Sequence, residues 1–234
     1  MNAAQLAGLV GHGPLLLDFD GPVCSIFAGL PAPSVAGELV ELLRSGGVDP
    51  PGEIASEPDP LAVIRWTGYH CDPQLTTAVE DALTALELRA VQSATPTPHG
   101  HDVIRAARGK GVPVAIVSNN SGRAVSAYLA LHDLADLVER VNGRPYARPE
   151  MMKPEPWMIL DAVRAVGGEL AACVLVGDSM SDIMAARAAG VQVIGLANRP
   201  RKVVPFAIAD AVITTMADVV AALSPVSPES PSGT

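Results

Sequence analysis

Pro14-Leu15-Leu16-Leu17-Asp18-Phe19-Asp20-Gly21 sets a run of leucines directly before two carboxylates spaced two residues apart. A short apolar run closed by a glycine reads as a strand buried on both faces, as in a parallel sheet. Residues 112–118, 172–178 and 191–196 repeat the pattern, and 211–214 do so more weakly. Helical stretches fall between them, at 101–108, 121–131, 157–166 and 181–189. Strand–helix alternation of this kind predicts an open α/β sheet with right-handed crossovers. Ligands of such sheets bind beyond the carboxyl ends of the strands, and here those ends are polar. The first delivers Asp18 and Asp20, the second Ser118, Asn119 and Asn120, and the third Asp178, with Asp182 one turn on.

Residues 26–95 break the alternation. They hold no convincing strand but several helical stretches: Val35, Leu39, Val40, Leu42 and Leu43 mark one. Asp72-Pro73 reads as an N-cap followed by Pro at N1, after which Leu75, Val79, Ala82, Leu83 and Leu86 form one apolar face. The expected organisation is a core of residues 1–25 and 96–223, a helical insert of residues 26–95 rejoined through a Pro-rich hinge at 95–100, and a disordered tail at 224–234. The chain has 234 residues, 49% of them hydrophobic, enough for a substantial core. Its net charge of −9, without a basic run, argues against nucleic acid as a partner. No apolar stretch approaches a membrane span, and the first residues lack the basic start of a signal peptide. Three widely spaced cysteines fit neither a disulfide framework nor a zinc site. A cytoplasmic, reduced protein, monomer or homodimer, is expected.

Three carboxylates converging on one place repel unless a cation sits among them, and hard oxygen ligands select Mg²⁺. With Mg²⁺ and Lys153 supplying positive charge, Asp18 becomes a usable nucleophile toward a phosphoryl group. Ser118 Oγ, the Asn119 backbone and Lys153 would hold the equatorial oxygens. Asp20 points the same way along the strand as Asp18. It can protonate the leaving oxygen and then deprotonate the water that hydrolyses an aspartyl-phosphate.

Asp18-Phe19-Asp20-Gly21, Val117-Ser118-Asn119, Lys153-Pro154 and Val176-Gly177-Asp178-Ser179-Met180-Ser181-Asp182 stand in the order of four motifs. With them the chain resembles the haloacid dehalogenase superfamily over roughly residues 12 to 200. The resemblance implies a Rossmann-like core with the first strand central, and Mg²⁺ held by Asp18, the Asp20 carbonyl and Asp178, with Asp182 acting through water. It implies a cap of the kind found in phosphoglycolate-phosphatase-like members, placed in the insert. Pro22 stands where the family commonly has Thr or Val, and the hinge lacks an acid that phosphatases often carry there. The expected activity is hydrolysis of a small phosphorylated metabolite. A phosphomutase of the β-phosphoglucomutase type, a 2-haloacid dehalogenase and a non-catalytic phospho-acceptor protein are the alternatives.

Plainer readings stand beside these. Ser118-Asn119-Asn120 can cap the next helix, whose N-terminus would also attract phosphate. Asp178 and Asp182 can serve a helix dipole. His99 and His101 lack a third metal ligand in the sequence nearby. Arg65, Trp66, Tyr69 and His70 read as structural or surface residues of the insert, and Cys24 as a small buried hydrophobe.

Overall fold

Leu15, Leu16 and Leu17 are fully buried because they form the middle of a six-stranded sheet. The computed structural model describes residues 3–224. In chain order its elements are α1 (Ala3–Val10), β1 (Leu15–Leu17), β2 (Cys24–Ser25), α2 (Ala32–Ser45), α3 (Gly52–Ala55), α4 (Pro60–His70), α5 (Pro73–Val91), β3 (Thr95–Pro96), α6 (Gly100–Gly109), β4 (Val114–Ser121), α7 (Gly122–Leu131), β5 (Arg140–Arg144), α8 (Trp157–Ala165), β6 (Val174–Gly177), α9 (Met180–Ala189), β7 (Gln192–Leu196), β8 (Ala211–Ile213) and α10 (Ala217–Leu223). The sheet runs β5-β4-β1-β6-β7-β8 with every pairing parallel. Leu16 sits between Ala115 of β4 and Leu175 of β6, so β1 is central and its carboxyl end opens between theirs.

Alternation of side chains divides the core in two. Leu15, Leu17, Ile116 and Val176 pack under α1, α6, α7 and α10, while Leu16, Val117, Leu175 and Val193 pack under α8 and α9. Each such aliphatic side chain contributes roughly 1.5–3 kcal/mol by leaving water. Among the described residues no helix is long and apolar enough to cross a membrane.

The stretch read as a helical insert holds α2 to α5, and it has its own cluster. Leu39 and Leu43 of α2, Val63 and Ile64 of α4, and Val79 and Leu83 of α5 pack together, with Met152 from the core against them. Asp72 caps α5 as expected, its Oδ1 accepting the Leu75 N–H at 2.8 Å.

Four departures from the sequence reading have physical causes. At the insert's ends β2 and β3 pair antiparallel, where the sequence suggested only a linker; two-residue strands carry no periodicity to read. β5 is a strand on the sheet's edge, yet Arg140-Val141-Asn142-Gly143-Arg144 has no apolar run. Gly143 there meets the start of α7: a Cβ would stand 2.1 Å from Gly122 N. β4 extends to Ser121, three residues past its apolar run, because its buried polar end finds partners described below. Short α1 was not anticipated. The expected tail lies outside the described residues from position 225 on, and Ser224 is exposed after α10.

Candidate active site

The carboxyl ends of β1, β4 and β6 surround a cavity of about 190 Å³ lined by Asp18, Asp20, Ser118, Asn119, Asn120, Lys153, Asp178, Ser179 and Ser181. Asp59, Leu61 and Arg65 reach it from the insert. Six of the seven expected site residues thus line one space. The seventh, Asp182, is fully buried beneath it.

Lys153 joins the parts. Although 1% exposed, its Nζ donates to Val117 O at 2.8 Å and pairs with Asp18 Oδ1 at 2.9 Å and Asp182 Oδ1 at 2.5 Å. Burial works against its charge, but Asp18 and Asp182 outweigh that and raise its pKa. Its backbone is held as well. Asn119 Oδ1 accepts the Lys153 N–H at 2.9 Å, Asn119 Nδ2 donates to Lys153 O at 3.1 Å, and Arg65 Nη2 donates to the same carbonyl at 2.6 Å. The Asn119 side chain therefore holds Lys153, and its backbone N–H is the group the sequence reading assigned to phosphate. Asp182 Oδ2 accepts from Ser179 N at 2.9 Å, completing a capping box on α9. Both of its oxygens are engaged by protein groups.

Asp18 Oδ1 also accepts the Phe19 N–H at 2.7 Å. Asp20 Oδ1 accepts the Ile26 N–H at 3.0 Å, which ties it to the start of the insert. Gly21 follows at φ +119, and a Cβ there would meet the Asp178 carboxyl carbon at 2.4 Å, so only glycine lets the two acidic strand ends approach. Burial pushes the Asp20 carboxyl up to about 6. Burial, then the Asp182 charge, pushes Asp18 up to about 8 against the pull of Lys153. Asp178 is raised by burial, with Lys202 opposing.

Lys202 was not singled out from the sequence. Its Nζ bonds Asp178 O at 2.7 Å and pairs with the Asp178 carboxylate, beside Asn198. The signal available was position: Asn198 and Lys202 follow the carboxyl end of β7, next to β6. Among the described residues Asp18, Asp20, Asp178 and Asp182 pair with two lysines, with Arg65 the further cation lining the cavity. One oxygen each from Asp18, Asp178 and Asp182 lies within 4.8 Å of the others. Hard anionic oxygens at that spacing, with charge left unbalanced, fit a small divalent cation.

The helix following β4 offers phosphate less than its sequence suggested. Its N-cap is Ser121, whose Oγ accepts from Ala124 N, and the Ser121 N–H is taken by Glu87 Oε2 at 2.9 Å. Arg65, read as structural or surface, has a structural bond to the Lys153 carbonyl and also lines the cavity, whereas Trp66 stacks on His70 and Tyr69 is exposed. His101 bonds the Tyr128 hydroxyl and His99 pairs with Asp102. Cys24 is buried in the core, with its thiol pushed up by burial.

Comparison with known proteins supports the same picture. The phosphoglycolate phosphatase of Pseudomonas putida is 28% identical over 78% of this chain and 68% of that enzyme. The bifunctional riboflavin kinase/FMN phosphatase of Arabidopsis thaliana is 28% identical over 52% of this chain, but the match spans only 32% of that enzyme. Among solved structures, CbbY of Rhodobacter sphaeroides in complex with phosphate superposes with a TM-score of 0.65 at 20% identity, over 87% of this chain and 94% of that one. A HAD family hydrolase of Deinococcus radiodurans with bound phosphate and sodium gives 0.58 at 21% identity, over 93% and 100%. At such identities these structures establish the fold alone. The family model of haloacid dehalogenase-like hydrolases matches residues 15–190, from the first residue of β1 to the glycine that ends α9, and the chain belongs to that family.

Proposed function

We propose that the protein is a Mg²⁺-dependent phosphatase acting on a small phosphorylated metabolite, with residues 26–95 as a cap over the site. The observation that carries this reading is the pair of carboxylates with different surroundings in one cavity: Asp18 against Lys153, Asp20 against a backbone N–H. Two acids so placed divide into nucleophile and proton carrier. The phosphatase relatives support the substrate class.

In this reading Asp18 Oδ2, which lies outside the bonds made by Oδ1, attacks phosphorus. The ester oxygen departs with the proton of Asp20, and the Asp20 carboxylate then takes a proton from the water that cleaves the aspartyl-phosphate. Phosphate leaves and the Asp18 carboxylate is restored. The Asn119 backbone N–H, the Ser118 hydroxyl once its hydrogen turns from Asn120 Oδ1, and the positive charge of Lys153 as its bond to Asp18 yields hold the phosphoryl oxygens, and Asp59 and Arg65 of the cap face the rest of the substrate. Asp18 must be ionised while Asp20 holds its proton, the reverse of the order that burial alone imposes. Asp18 and Asp178, with Asp182 behind them, would hold a divalent cation, whose charge would favour the Asp18 carboxylate over its protonated form and so allow the working order.

Phosphate release from a panel of small phosphate esters, with and without EDTA, tests the reading. Chloride release from 2-haloacids with no phosphate from any ester would overturn it. Asp20→Asn is expected to slow esters with poor leaving groups by about 10²–10⁴-fold. With an activated aryl phosphate the first step should be nearly spared, and stopped-flow should show a nitrophenol burst as the aspartyl-phosphate accumulates.

The acids also make a stability prediction. In the folded metal-free protein the pKa of Asp20 stands at about 6 against an ordinary 3.8, and Asp18 stands higher still. The folded state therefore binds protons that the unfolded chain has released, and stability falls as pH rises through this window. Calorimetry in EDTA should give a lower Tm at pH 8 than at pH 5, and Mg²⁺ should remove most of the difference. A Tm that rises with pH in EDTA would refute the assignment.

A further inference from the structure

A second set of buried charges lies where the insert meets the sheet. Arg144, at the end of β5, donates through Nη2 to Glu80 Oε1 at 2.8 Å and through Nη1 to Glu87 Oε1 at 2.9 Å. Arg144 and Glu87 side chains are 0% exposed and Glu80 2%, so the charged groups are buried, although Arg144 and Glu80 border a cavity of about 340 Å³. Glu80, Thr84 and Glu87 form one stripe of α5, with Thr84 Oγ1 donating to Glu80. One guanidinium between two carboxylates leaves a negative charge over.

That charge is aimed at the last residues of β4, after Ser118. Glu87 Oε2 accepts the Ser121 N–H at 2.9 Å, Glu87 Oε1 accepts Asn120 Nδ2 at 3.1 Å, and Arg144 Nη1 donates to Asn119 O at 2.8 Å. Three consecutive residues are thereby pinned. A carboxylate only accepts, so Asn120 must turn its amide nitrogen to Glu87 and its oxygen the other way. Ser118 Oγ donates to that oxygen at 3.2 Å and accepts the Asn120 N–H at 3.1 Å. One amide thus carries the orientation of Glu87 to the Ser118 hydroxyl. Stability is a poor account of such a cluster, because buried ion groups replaced by well-packed apolar ones often leave a protein as stable or more so.

We propose that Glu87, held by Arg144, is a positioning residue: through Asn120 and the Ser121 N–H it orients the end of β4 at 118–121, where the register with β5 is irregular, so that the insert helix sets the geometry of the phosphate donors. This rests on the reading that Ser118 and Asn119 hold the phosphoryl group. Glu87→Gln keeps the shape and removes the charge; Asn120→Ala cuts the relay without touching a buried charge and decides the matter if the first variant does not fold. Both are compared with the wild type by amide hydrogen exchange at 118–121 and by titration with inorganic phosphate in Mg²⁺. Exchange at 118–121 should quicken about tenfold while β1 and β6 stay protected, and phosphate should bind about tenfold more weakly. Unchanged exchange at 118–121 overturns the proposal. So does a loosened end of β4 that binds phosphate as tightly as before, with only Tm lowered, which is what a purely structural role predicts. Loosening at 118–121 in the variants of a wild type that binds no phosphate supports the positioning and overturns the phosphate reading instead.

Discussion

Asp18→Asn is expected to fold and to hydrolyse phosphate esters at least about 10⁴-fold more slowly than the wild type. Asparagine keeps an oxygen that can accept the Phe19 N–H and the Lys153 ammonium, bonds that Asp18 makes at 2.7 Å and 2.9 Å. It loses only the charge, which burial already disfavours. Fold and function should therefore separate, with Tm in EDTA unchanged or higher while kcat collapses. A variant that kept a tenth of wild-type kcat would remove Asp18 from the nucleophile's role.

Lys153→Met is expected to damage both. The ammonium is the shared partner of Asp18 on β1, Val117 O on β4 and Asp182 on α9, and it is 1% exposed. Its removal strands two buried carboxylates, and breaking a buried pair costs roughly 3–5 kcal/mol. Against a total stability of about 5–15 kcal/mol, that is roughly a fifth of the margin at the least and all of it at the most. The folded fraction should lose about 10²–10³-fold in kcat as well if, as proposed, the Lys153 charge stabilises the transferring group. Guanidinium titration gives the first quantity and phosphate release per folded molecule the second. A midpoint equal to that of the wild type would show that Lys153 does not join β1, β4 and α9 energetically.

The legible part of this molecule was the part with a period or a pattern. Leu15–Leu17 and the runs in β4, β6 and β7 are buried on both faces, so hydrophobicity marked them. The polar residues at their ends gather in one cavity because parallel strands present like ends together. β5 was illegible because Asn142 and Arg144 are buried polar residues whose partners, Asp161, Glu80 and Glu87, lie 19 to 64 positions away. Lys202 escaped for the same reason, and Arg65, though named, showed nothing of its partner: only tertiary contact sets Asp178 before one and the Lys153 carbonyl before the other. The capping box on α9, by contrast, is local, and Ser179 and Asp182 stand in the right spacing to announce it.

Ser25 and Thr95 are paired rungs of the short β2–β3 ladder, so the long excursion between them starts and finishes at one point in space. A segment with adjoining ends can be replaced by a longer or shorter one at little entropic cost, since closure grows only with the logarithm of length. The excursion is in this sense a cassette, and under the proposed function its trade would change the substrate while the chemistry below stayed put. Glu87 sets the condition on that trade. An incoming cassette without an acid at its place would confront Arg144 with a missing partner and leave Asn120 free to turn. Successful grafts between relatives should therefore carry the acid and the arginine together, or neither.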